Sequence, residues 1–238
     1  FKCDWSSDVC SSDLHPLVDL TRATESRDSF LRGLGLAPER PTLALLPGSR
    51  RNEVSRLAPV LAGALARIRE QVPEVQAVIA CAPHLPDAAF DVFGNGPGAP
   101  ARVRGRADDV LAASDVVLTA SGTATVQAAL HERPMVVVYR LSPLTYRVGK
   151  PFVRVDTYAM PNLVAGARIV PELIQDDCTP ERVAAEAVTL LRDTARHART
   201  VDALRGVRER LGAPGASRRA ADAVLSVIAE HQRRRAVR

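Results

Sequence analysis

The chain has 238 residues, 46% of them hydrophobic and 25% charged, with a formal net charge of +5. That composition allows one or two domains with a real core and excludes a disordered chain. No apolar run reaches the roughly 18 residues that a membrane-spanning helix needs, so any membrane contact is expected to be peripheral.

Residues 1–14, FKCDWSSDVCSSDL, have no helical or strand period and lack a signal peptide's basic start and apolar core. They read as a non-native or disordered leader, with residues 15–40 as a junction before the first domain. Cys3 and Cys10 fall in this leader, while Cys81 and Cys178 stand far apart in the sequence. No zinc-ligand spacing arises, and a reducing cytosol is the default compartment. All but two of the 32 basic residues are arginine, Lys2 and Lys150 being the exceptions. So strong a bias reads as genomic composition, gives weak support for an anionic ligand and does not point to nucleic acid.

From Thr42 onward, strand-like runs alternate with helical patterns. Strands are expected at Thr42–Leu46, Val75–Ala80, Val116–Thr119 and Met135–Tyr139. Between the first two, Val54, Leu57, Leu61, Leu65 and Ile68 recur at spacings of three and four, one face of an amphipathic helix. The alternation predicts an α/β fold, a Rossmann-like parallel sheet with helices on both faces, over residues 41–178. Gly94-Asn95-Gly96-Pro97-Gly98-Ala99 fits a loose dinucleotide fingerprint, but no strand leads into it and Pro97 does not suit the tight turn. It reads as a surface loop.

Residues 179–238 read as C-terminal helices and a basic tail. Thr179-Pro180-Glu181 combines an N-cap, a first-turn proline and an acid at the positive helix end. Ala221, Val224, Leu225 and Ile228 mark the apolar face of a last helix running into Arg233-Arg234-Arg235, which reads as a solvated helix end before an anionic-membrane contact.

In an open parallel sheet, ligands bind beyond the carboxyl ends of the strands. Three loops there carry suitable chemistry. Gly48 allows close backbone approach, Ser49 offers a hydroxyl, and Arg50 a planar fork for phosphate oxygens; solvent-exposed arginines on a turn are the alternative. Ser121, Gly122 and Thr123 open a helix whose free N–H groups and positive end suit a diphosphate, although Ser and Thr also simply cap helices. Tyr139 and Arg140, with Leu141-Ser142-Pro143, could meet a base and a phosphate or be structural. Further on, Asn162 is a polar side chain in apolar surroundings, able to meet sugar hydroxyls or to stabilise a turn.

LALLPGSRRNEV (43–54), ASGTATVQAAL (120–130), MVVVYRLSPLTYRVGK (135–150) and PNLVAGARIVPELIQDD (161–177), in this order and spacing, resemble the lipid-A-disaccharide synthases. The resemblance begins near His15-Pro16-Leu17-Val18-Asp19, which is similar to that family's inter-domain junction. It implies the C-terminal half of a GT-B fold, binding a UDP-sugar, followed by C-terminal helices. The implied reaction transfers 2,3-diacylglucosamine from UDP-2,3-diacylglucosamine to 2,3-diacylglucosamine 1-phosphate, forming the β-1,6 disaccharide and UDP without a metal or cofactor. The family's essential arginine falls on Arg50, its phosphate-binding residues on Ser121, Gly122 and Thr123, and its asparagine on Asn162, so that Arg50 and Asn162 are the catalytic candidates.

Two departures follow from the same resemblance. Where the family has Glu for the ribose, this chain has Gln127, and Gln127→Glu is expected to tighten nucleotide binding. The family's N-terminal domain, with its acceptor site, is not found before His15, so the chain is expected to be inactive alone. The resemblance also allows a homodimer and a cytoplasmic location with peripheral contact on the inner face of the bacterial inner membrane. Two other readings stand beside it: another GT-B enzyme, such as a UDP-N-acetylglucosamine 2-epimerase or a peptidoglycan glycosyltransferase, and a non-catalytic UDP-binding module.

Overall fold

The computed structural model describes residues 15–141 and 157–236. The leader, and Ser142 to Lys150 of the third loop and its motif, lie outside the described residues. In chain order the elements begin with α1 (Leu17–Leu20), α2 (Arg27–Gly33), β1 (Thr42–Leu46), α3 (Arg51–Gln71) and β2 (Gln76–Cys81). A 3-10 turn at Asp87–Phe93, then β3 (Ala101–Arg104), α4 (Ala107–Ala113), β4 (Val116–Ala120), α5 (Thr123–Leu130) and β5 (Met135–Tyr139) follow. The chain closes with α6 (Met160–Ala165), β6 (Glu172–Ile174), α7 (Pro180–Arg192), α8 (Thr194–Arg210) and α9 (Ala216–Ala236). No helix of the described residues is long and apolar enough to cross a membrane.

The strands form one parallel sheet of six in the order β3-β2-β1-β4-β5-β6. Side chains alternate between faces with period two, and both faces are buried. Leu43 and Leu45 of β1 join Val54, Leu57 and Leu61 of α3 and Val183 of α7 in one core layer. Ala44 and Leu46 join Val110 of α4, Val126 of α5 and Leu204 of α8 in the other. Burying each Leu, Val or Ile contributes about 1.5–3 kcal/mol, which is why strands this short are held without polar alternation.

Four strands stand where sequence pattern predicts them, β2 one residue further on. The edge strands β3 and β6 are additional. Their sequences, Ala-Arg-Val-Arg and Glu-Leu-Ile, are short and charged, as edge strands need to be to resist pairing with other chains, and so carry little apolar signal. Thr179 caps α7 as expected, its side chain accepting from the Arg182 N–H. The last helix also forms, and its apolar face is not buried: Val224, Leu225 and Ile228 are 60%, 63% and 47% exposed.

Residues 15–40 are fastened to the sheet by buried charge. Asp109 of α4, only 2% exposed, accepts from the Thr24 N–H at 2.6 Å, the Thr24 hydroxyl at 2.8 Å and Arg106 Nε at 2.8 Å. Arg27 of α2 donates to Asp115 at 2.9 Å, and the same Asp115 oxygen accepts from the Thr42 N–H at the start of β1. Burial pushes the Asp109 carboxyl up, but the Thr24 N–H, the Arg106 guanidinium and the Thr24 hydroxyl outweigh it and hold it below the usual carboxylate range. The stability this provides is complete above the ordinary carboxylate pKa and is lost as pH falls through the lowered folded value. Asp109→Asn is therefore expected to cost about 1–3 kcal/mol at neutral pH, with the gap to the parent narrowing on acidification; urea unfolding as a function of pH measures both.

Candidate functional site

The strand order reverses direction between β1 and β4: β2 and β3 lie to one side, β5 and β6 to the other. The chain leaves β1 for α3 on one face and leaves β4 for α5 on the opposite face. A crevice must open between two loops that part in this way, and it is the ligand position of such sheets.

Gly48 forms the first wall. Its φ is +119°, and a Cβ there would lie 2.8 Å from both Cβ and Oε2 of Glu53. Glycine thus lets Glu53 fold back and accept from the N–H groups of Ser49 and Arg50, each at 3.2 Å. The other Glu53 oxygen pairs with the Arg50 guanidinium at 2.8 Å, and Arg50 remains 81% exposed at the rim. Gly122 forms the second wall, with φ +149° and no atom within 4 Å of where a Cβ would stand. Directly after it begins α5, whose first-turn N–H groups have no partners within the helix itself and carry its positive end.

Between these walls lies a cleft of about 590 Å³, a size usual for small-molecule sites. It brings together Gly48, Ser49, Arg50, Ser121, Gly122, Thr123 and Gln127, seven of the residues singled out from sequence. It also contains Cys81 at the end of β2, His84 just beyond that strand, and Asp108 at the start of α4. Burial raises the Cys81 thiol above its ordinary pKa, so Cys81 lines the wall as a small neutral group. Asp108 escaped sequence reasoning because β3 did: without a strand before it, Gly105-Arg106-Ala107-Asp108 does not read as a strand-end loop entering a helix.

Asp108 changes the meaning of Gln127. The Gln127 amide donates to both Asp108 oxygens at 3.4 Å, and His131 Nε2 lies 3.0 Å from Oδ1. A glutamate at 127 would set two carboxylates against each other in place of this donor and acceptor. The expectation that Gln127→Glu by itself tightens nucleotide binding therefore does not suit this geometry.

Three expected site residues stand apart from the cleft walls. Tyr139 ends β5 half-buried, and Arg140 turns to donate to the Cys178 carbonyl at 2.8 Å. Asn162 in α6 is 1% exposed. Its Oδ1 accepts from the N–H groups of Ile169 and Val170 at 2.8 and 3.0 Å, and its Nδ2 donates to the Val170 carbonyl at 2.9 Å and to Glu172 at 2.6 Å. Those four bonds fill the hydrogen-bonding capacity of the amide.

The family model described as lipid-A-disaccharide synthetase matches residues 14–227. The chain belongs to that family. The lipid-A-disaccharide synthase of Geobacter sulfurreducens is 42% identical over 215 residues, covering 90% of this chain and 56% of the relative. That of Myxococcus xanthus is 41% identical over 214 residues with the same coverage. The chain thus spans a little over half the length of these curated relatives. Among solved structures, the fold is similar to a UDP-N-acetylglucosamine 2-epimerase from Listeria monocytogenes described as putative (TM-score 0.60, 19% identity, 91% of this chain and 53% of that one). It is also similar to S. aureus MnaA in a co-structure with UDP (TM-score 0.61, 14% identity, 87% and 50%). Spinosyn rhamnosyltransferase SpnG gives a TM-score of 0.54 at 19% identity over 77% of this chain and 45% of that one. At such identities these structures speak for the fold, and the family match decides between this family and the epimerases.

For this lipid-A-disaccharide synthetase family member, the Asn162 geometry describes a clamp that fixes the return from α6 to β6. Asn162→Ala would leave the Val170 N–H and carbonyl, both deep in the protein, without their partner. A loss on the order of 3 kcal/mol is expected. Thermal unfolding measures it, and a variant as stable as its parent would free Asn162 for a role toward ligand.

Proposed function

We propose that this chain forms the donor-binding part of a lipid-A-disaccharide synthase, holding UDP-2,3-diacylglucosamine in the cleft between β1 and β4. The observation that carries the reading is the meeting of the Arg50 loop and the α5 N-terminus at one crevice, in a member of this family. A diphosphate seated there would meet backbone N–H groups, the hydroxyls of Ser121 and Thr123, and an exposed cationic fork at the rim. That UDP is bound in the co-structure of a protein of similar fold supports the ligand class.

In the proposed reaction, the 6-hydroxyl of 2,3-diacylglucosamine 1-phosphate forms a bond to C1 of the donor sugar while the bond from C1 to the diphosphate oxygen breaks. The hydroxyl proton passes to a base, and UDP departs with one more negative charge on its terminal phosphate. Arg50 and the positive end of α5 would stabilise that charge as it develops, which lowers the barrier more than it tightens ground-state binding. Arg50 must leave Glu53 to do so; the pair is exposed, and such pairs contribute about 0–1 kcal/mol, so the exchange costs little. Tyr139, Arg140 and Asn162 keep a supporting part here, holding the β5 and β6 end of the domain.

The relatives are nearly twice as long as the matched region. In our reading, the acceptor and its base belong to the part of the relatives' length that this chain does not match. The lipid substrates would then be met at the cytoplasmic membrane surface, peripherally, and pairing of two copies is compatible with the same reading.

Calorimetric titration with UDP tests the donor site. Arg50→Ala is expected to weaken binding by about 1–3 kcal/mol through loss of a charge-assisted hydrogen bond, and equal affinities would move Arg50 out of the site. A polypeptide of residues 15–238 is expected to bind UDP yet make no disaccharide from donor and acceptor, because in this reading the acceptor and its base are held by the part of the relatives' length that it does not match. Synthesis by this chain alone would place the acceptor site within it.

A further inference from the structure

Resting on the donor-site reading above, we infer that Asp108 supplies the carboxylate that accepts the ribose hydroxyls of the nucleotide, with Gln127 and His131 as its positioning residues. Among the described residues, the cleft lining contains two carboxylates, Glu53 and Asp108. Glu53 belongs to the Arg50 loop, on the phosphate side of the cleft in this reading: one oxygen caps the Ser49 and Arg50 N–H groups and the other pairs with the Arg50 guanidinium. Asp108 differs in what its partners leave open. His131 addresses Oδ1 alone, at 3.0 Å, and the long bonds from the Gln127 amide, 3.4 Å to each oxygen, are the only contact Oδ2 makes among the described hydrogen bonds. A carboxylate oxygen offers about two acceptor positions. The side chain of Asp108 is 23% exposed and lines the cleft, and Oδ2 has lone-pair capacity to spare.

The ligand class follows from this chemistry. A vicinal diol presents two O–H donors side by side, and an ionised carboxylate accepts them with charge-assisted bonds about twice as strong as neutral ones. Gln127 sits one turn into α5 from Thr123, a rise of about 6 Å along the helix, and Asp108 is hydrogen-bonded to it, which suits a ribose whose phosphate sits at the helix N-terminus. In a donor whose hexosamine is acylated at positions 2 and 3, the ribose carries the remaining vicinal diol. Gln127 on α5 and His131 directly after it, four residues apart, hold the carboxylate by hydrogen bonds. Gln127 thus acts through Asp108, donating an N–H where a second carboxylate would repel it.

The test compares the affinities of UDP and 2′-deoxy-UDP by titration calorimetry, with inorganic pyrophosphate as a control for the phosphate subsite. The parent should prefer UDP by roughly tenfold or more, and Asp108→Asn should bring that ratio close to one while leaving pyrophosphate affinity unchanged. The double variant Asp108→Asn with Gln127→Glu carries the carboxylate to the other partner of the same hydrogen-bonded pair, and should regain discrimination. Asn at 108 keeps the shape and a donor or acceptor for each neighbour, and unfolding curves verify that both variants are folded. UDP binding with a preference for the 2′-hydroxyl that survives Asp108→Asn would overturn the assignment and leave the donor-site reading standing. Absence of UDP binding by the parent would overturn the donor-site reading, and this assignment with it.

Discussion

Parallel pairing of β1 with β4, Leu43 to Leu46 against Val116 to Thr119, constrains everything else in this protein. The two strands are adjacent in space and separated in sequence, with β2 and β3 extending the sheet one way and β5 and β6 the other. Their following segments therefore diverge to opposite faces, α3 into one core layer and α5 into the other. Two loops that part cannot pack on each other, and the gap they leave is the cleft. No side chain in the cleft creates it; the order of strands does.

On that frame, small local choices set the chemistry. Glycine at 48 permits a backbone that any side chain would block, and the space it vacates is filled by Glu53, which caps α3 and holds Arg50 at the rim. Glycine at 122 has the opposite role, keeping space empty in front of a helix end. One side of the cleft thus offers an exposed positive charge and the other fixed N–H dipoles. A fixed dipole needs no reorganisation when charge develops, whereas a long exposed side chain has several rotamers from which to reach a ligand; the two are complementary.

A second set of charges works away from the cleft. Asp109 and Asp108 are neighbours in α4, yet one is buried against Thr24 and Arg106 and the other faces the cleft. Consecutive helix residues point about 100° apart, so the first turn of α4 anchors residues 15–40 with one carboxylate and meets the site with the next. Stability and binding are separated by a single step along the helix.

Much of this was legible in the sequence. Apolar strands of five residues and the three-and-four spacing from Val54 to Ile68 follow from local burial needs, and both appear where the pattern puts them. The Gly48 to Arg50 and Ser121 to Thr123 loops were legible because phosphate chemistry needs small residues, hydroxyls and cations at strand ends. The sequence by itself therefore determined the fold class, the family and the two walls of the cleft. Which residues share the cleft was left to tertiary structure, because pairing order is a long-range property that no local period records. That order brought Asp108 beside Gln127 and closed Asn162 into its own hydrogen-bonded turn. It also left the apolar side of α9 exposed, since a helix's periodicity states that it has an apolar face and not what covers it.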